Sequence, residues 1–161
     1  MRKRLAGAAV LLALSAAAIQ AVDGDKAMYV GGTVAGLAEK SEGKLDTKSE
    51  QNAVFEAGKK GSVAIPYSAI TELEYGQKAG RRVAVAVLVS PLALFSKKRN
   101  HYLTISYKDA SAKEQAAVFE LGKDIVRTTM KVLEVRSGKE ISFQDEEACK
   151  QYKTPKECSG K

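Results

Sequence analysis

The chain has 161 residues, a formal net charge of +7 and 45% hydrophobic residues, with two cysteines and a single histidine. That length suits one domain with a core of its own. The lone histidine excludes a histidine-rich metal centre.

Met1, Arg2, Lys3 and Arg4 precede an apolar run over residues 5–19 that carries no charge, and Ile19, Gln20 and Ala21 close it. A basic start, a short apolar stretch and a small residue before polar sequence are the layout of a secretory signal. A bilayer-spanning helix takes roughly 20 apolar residues, more than this run supplies. The sequence therefore predicts residues 1–21 as a signal peptide cleaved near Ala21, in preference to an uncleaved N-terminal anchor. No cysteine lies near the run, so lipid attachment there has no acceptor. Cleavage leaves about 140 residues, still enough for a core. It also lowers the charge to about +4, an ordinary balance that does not indicate nucleic acid. The expected location is periplasmic or secreted.

Residues 27–37 (AMYVGGTVAGL) read as a first strand. Gly31 and Gly32 fit a bulge or a close backbone approach better than a phosphate loop, since no G-K-[ST] ending or helix follows. Residues 43–49 and 51–57 read as a strand pair, and residues 58–61 (GKKG) as a turn. Residues 62–66 read as the next strand, which Pro66 ends in a turn over residues 67–70. Residues 71–77 alternate, with Leu73 and Tyr75 on one side and Glu72 and Glu74 on the other. Residues 78–82 read as a polar loop.

Residues 83–95 (VAVAVLVSPLALF) are the most apolar internal stretch. Val83, Val85, Val87 and Val89 share one face of an extended chain, and Ala84, Ala86 and Leu88 the other. Apolar residues on both faces imply burial on both sides or contact with a greasy surface. The stretch is too short to span a bilayer. Leu92, Leu94 and Phe95 followed by Lys97, Lys98 and Arg99 suit an interfacial loop on an anionic membrane surface. A core strand followed by a basic turn explains the same residues and is the favoured reading.

Residues 101–108 alternate, with His101, Leu103, Ile105 and Tyr107 on one face and Tyr102, Thr104, Ser106 and Lys108 on the other. Residues 109–113 read as a hairpin connection and residues 115–121 as the last strand. An amphipathic helix is then predicted over residues 123–137. Ile125, Val126, Thr129, Met130, Val132 and Leu133 form its packing stripe, Asp124 lies near its start, and Gly138 suits its C′ position. Residues 142–161 read as a polar tail with an apolar anchor at residues 141–143. Cys149 and Cys158 are expected to form one structural disulfide in an exported chain, since their spacing fits neither a zinc pattern nor a thioredoxin-type pair.

The strings IPYSAITELEYG, KKRNHYLTISYKD and VFELGKDIVRTTMKVLEVRSGK resemble a group of bacterial exported proteins. They resemble, more distantly, bacterial pleckstrin-homology-like and GRAM-like domains. The similarity runs over about residues 27–141, within an expected domain of residues 26–141. It implies a mainly β fold: a strongly bent antiparallel barrel of about seven strands capped by one C-terminal amphipathic helix. It implies no catalytic residues and no cofactor, and no lipid-binding residue carries over to a position of this chain.

The expected function is a non-enzymatic binding module of the bacterial cell envelope, with an unidentified envelope protein or an anionic membrane surface as partner. A carboxylate-dependent envelope hydrolase using Glu72 and Glu74 is the alternative from another class. His101, at the start of a strand beside basic residues, reads as a half-exposed strand residue.

Overall fold

Residues 26–77 and 100–158 are described by the structure, a computed structural model. Four strands come first: β1 (Ala27–Gly32), β2 (Ser41–Asp46), β3 (Asn52–Glu56) and β4 (Ser62–Pro66). Each pairs antiparallel with the one before. A second meander holds β5 (Ile70–Gly76), β6 (His101–Lys108) and β7 (Glu114–Leu121), again antiparallel. The two join where β1 pairs antiparallel with β7, and that ladder shifts register between Tyr29 and Gly31. The glycine pair thus marks a bulge, as its sequence suggests.

Helix α1 (Val126–Ser137) follows β7, and β8 (Ile141–Phe143) then pairs parallel with β5. Helices α2 (Glu146–Tyr152) and α3 (Pro155–Cys158) end the described chain. The sheet order is β4-β3-β2-β1-β7-β6-β5-β8.

The sheet curls around its core. Phe55 of β3 and Phe119 of β7 lie three strand steps apart, about 14 Å on a flat sheet. Their ring centroids are 5.1 Å apart, and Tyr29 packs on Phe119 at 5.8 Å. Into this concave face α1 presents Val126, Thr129, Met130 and Leu133, all buried, as the helical spacing predicts. Gly138 takes the left-handed conformation after the last turn, and its N–H donates to the Glu134 carbonyl.

Arg136 fastens the far end of α1. Its Nη1 donates to the backbone carbonyls of Thr47 and Ser49, and its guanidinium lies 5.4 Å from the centre of the Tyr67 ring. Tyr67 belongs to the 3-10 turn Tyr67–Ala69 that Pro66 introduces.

Several expectations change. The chain is mainly β, but its described strands make an open sheet of eight instead of a closed barrel of about seven. The physical reason is β8: it occupies the free edge of β5, satisfies that edge's backbone groups and buries Ile141. Residues 142–158 do not form a simple polar tail. Asp145 caps α2 by accepting from the Ala148 N–H at 2.8 Å, and Ala148 and Cys149 are buried. Helix α1 starts at Val126, because residues 122–125 make a separate turn closed by the Ile125 N–H on the Gly122 carbonyl. The first strand stops at Gly32, well before residue 37. The expected signal segment, the stretch 83–95, and Leu92, Leu94, Phe95, Lys97, Lys98 and Arg99 lie outside the described residues.

Candidate functional site

The polar side of α1 faces the returning tail across an open groove of about 730 Å3. Arg127, Lys131, Val135 and Lys139 line it from the helix side, Tyr152 and Lys153 from the tail side. Val135 is 67% exposed, the one large hydrophobic residue so placed among the described residues.

Of the acids lining the groove, Glu134 and Glu157 are engaged within the fold, while Glu140 is exposed. Glu134 Oε2 accepts from the Tyr152 hydroxyl at 3.1 Å and lies 3.7 Å from Lys131 Nζ, while its Oε1 accepts from the Ile141 N–H. Burial, together with the Glu134 carboxylate, pushes the Tyr152 phenol up to about 12, so it stays a donor at neutral pH. Glu157 accepts from both the hydroxyl and the N–H of Thr154, which hold its carboxyl below the ordinary range. Arg127 donates to the Gln151 carbonyl at 3.2 Å, and Lys153 Nζ lies 5.7 Å from the centre of the Phe143 ring. An apolar spot at Val135 set among Arg127, Lys131 and Lys139 suits an acidic, partly apolar stretch of a partner. The sequence carried a faint signal for it: Val135 is an apolar residue on the otherwise charged side of α1.

Cys149 of α2 and Cys158 of α3 form the expected disulfide, with Cα atoms 5.8 Å apart. Such a bond is consistent with an oxidising compartment. It ties α2 to α3, and both cysteines line a separate hollow with Ile141, Ser142 and Phe143 of β8.

His101 sits at the other end of β5 and β6. Its Nδ1 is 2.6 Å from the Tyr75 hydroxyl, the two rings are nearly parallel, and Phe143 meets Tyr75 edge-on. Burial lowers the His101 pKa and raises that of Tyr75 to about 12, so both groups are neutral at pH 7. A neutral histidine bound to a neutral phenol fixes the end of the β5–β6 ladder.

Glu72 and Glu74 share a strand face as read from the sequence, but in unlike settings. Glu72 is exposed, whereas Glu74 is buried and its Oε1 accepts from Gln144 Nε2 at 3.0 Å. Gln144 crosses directly over Gly76, where a Cβ would displace its side chain. Among the described residues no group of three or more His, Cys, Asp or Glu side chains lies together as a metal site. No helix among them is long and apolar enough to cross a membrane.

No protein-family model and no curated protein matches this chain.

Proposed function

We propose that this chain is an exported, non-enzymatic binding module of the bacterial cell envelope, related in architecture to pleckstrin-homology-like domains. The observation that carries the reading is the order of elements: two antiparallel meanders joined by β1 and β7, with a helix directly after β7 packed into the concave face. The resemblance in sequence calls for that order, and the ring contact between Phe55 and Phe119 supports a barrel-like curl. The disulfide supports export. Scaffolds of this kind act through what their surface accepts, and the groove beside Val135 is the partner surface the described residues favour.

A photo-activated cross-linker at position 135 tests this in cells. A discrete adduct with an envelope protein is expected, lost when Lys131→Glu and Lys139→Glu are combined while the far-UV spectrum is kept. An unchanged adduct in that variant would remove the groove from the account. The hydrolase alternative makes the opposite demand: turnover of an envelope substrate that falls with Glu74→Gln. The membrane alternative rests on the sequence pattern of residues 91–99.

A further inference from the structure

The tail-side wall of the groove beside Val135 consists of Tyr152, Lys153, Thr154 and Glu157. All four lie inside the loop that the Cys149–Cys158 bond closes. The two ends of this wall are held differently. At the near end the Tyr152 hydroxyl donates to Glu134, its ring packs on Phe143 at 5.9 Å, and Arg127 donates to the Gln151 carbonyl. At the far end α3 buries none of its residues, and Thr154 and Glu157 bond to each other. A helix of four residues does not sustain itself in water. Its strongest tie to the domain is the bond to Cys149, which is buried in α2.

We propose that this disulfide is a redox latch on the partner groove: closed, it sets Thr154 and Glu157 in the wall and the groove binds; opened, it releases α3 and the partner with it. The proposal rests on the reading of the groove as the partner surface. Access to the bond is the second observation. Both cysteines line an open hollow of about 600 Å3, and Cys158 is partly exposed where Cys149 is buried. A thiolate arriving from solvent therefore meets the Cys158 sulfur first. The reductant is a dithiol oxidoreductase. Its thiolate attacks Cys158 Sγ, the bond to Cys149 breaks, and Cys149 Sγ leaves with the electron pair and takes up a proton. The reductant's second thiol then displaces Cys158 as a free thiol. This chain ends as a dithiol and the reductant as a disulfide, two electrons and two protons having passed between them.

Two effects of opening oppose each other, and their sizes decide the direction. The bonded cysteines are nine positions apart, and opening returns to that segment the freedom the bond removes. A partner then has to order the wall as it binds. Closing so short a loop is worth about 100-fold in the chain-entropy model, and binding supplies part of it because Tyr152 stays anchored. Against this, departure of the Glu157 carboxylate eases the approach of an acidic partner. Glu157 is exposed, and one exposed charge is worth at most about fivefold. Ordering wins, and the net weakening expected is about tenfold.

The test compares the full chain before and after dithiothreitol in native buffer. Intact mass should show the gain of two hydrogens without denaturant, with the far-UV spectrum of the sheet kept. Trypsin cleavage after Lys153 and Lys156 should then accelerate about tenfold or more as the wall loosens. In cells, the cross-linker at position 135 should give about a tenfold weaker adduct when Cys149→Ser and Cys158→Ser are combined. If that pair does not fold, the native chain reduced in buffer and capped with iodoacetamide takes its place against envelope extract. A disulfide that resists dithiothreitol until the protein unfolds overturns the latch, and so does cleavage unchanged by reduction. An adduct of equal yield in the opened chain also overturns it while leaving the groove as the partner surface. Absence of any adduct from the oxidised chain overturns the groove reading itself, and the latch with it.

Discussion

The contact between Phe55 and Phe119 offers a direct energetic test of the curled sheet. Two strands separate β3 from β7, so on a flat sheet the rings would stand about 14 Å apart. That exceeds the 4.5–7 Å range of ~1 kcal/mol aromatic pairing. In the structure the centroids are 5.1 Å apart with planes tilted by 47°, and both residues are fully buried. Truncating either ring to alanine would cost about 3–5 kcal/mol through lost burial and a cavity, whatever the sheet's shape. The coupling between the two positions is what depends on the curl. A double-mutant cycle of Phe55→Leu and Phe119→Leu, read by urea unfolding with far-UV detection, should give a coupling of about 0.5–1.5 kcal/mol. Tyr29 and Phe119 are register partners on adjacent strands and would couple on a flat sheet as well, so that pair is the control. Additivity of the Phe55 and Phe119 losses to within about 0.3 kcal/mol, with the control pair still coupled, would refute the curl.

Three further outcomes follow from the same contacts. Because the folded pKa of His101 lies below its ordinary value of 6.5, the unfolded chain takes up the proton first. Stability tied to His101 is therefore complete above pH 6.5 and lost as pH falls from there through the folded pKa. The stability difference between wild type and His101→Phe should shift against the wild type over that window, and a pH-independent difference would contradict the burial of the ring. Removing the disulfide with Cys149→Ser and Cys158→Ser should cost about 2–3 kcal/mol by the chain-entropy model. Hydrogen exchange should accelerate in α2 and α3 more than in β6 and β7, whereas equal acceleration everywhere would show that the tail is no separate unit. Arg136→Ala should lower stability by about 1–2 kcal/mol through the lost contacts with Tyr67 and the Thr47 and Ser49 carbonyls. A loss within error would mean that the clamp is idle.

Where local pattern decides structure, the sequence was readable. His101–Lys108 alternates cleanly and forms a strand with those bounds, and Pro66 and Gly138 end their elements as their backbone chemistry requires. The parts that escaped depend on distant partners. Ile141–Phe143 is too short to read as a strand, and becomes one because α1 delivers it to the edge of β5. Helix α2 has few apolar residues, and its burial rests on Ala148 and Cys149 meeting a core built elsewhere. Glu74 looked like a solvated strand residue because alternation assumes one wet face, and here both faces are buried. His101 was placed correctly on its strand, but its bond to Tyr75 needed the β5–β6 register. The groove at Val135 follows from the tail's return, which no local pattern announces.

The proposed binding role requires residence outside the cytoplasm, and one measurement addresses that requirement directly. Bacterial cells expressing the full chain would be fractionated, treated with a thiol-trapping reagent without reductant, and the protein weighed intact by mass spectrometry. The expected species lies in the periplasmic or secreted fraction, begins at or near Val22 and carries no trapped thiol. A cytoplasmic species that begins at Met1 and carries two trapped thiols would contradict export, and with it the binding role in the cell envelope.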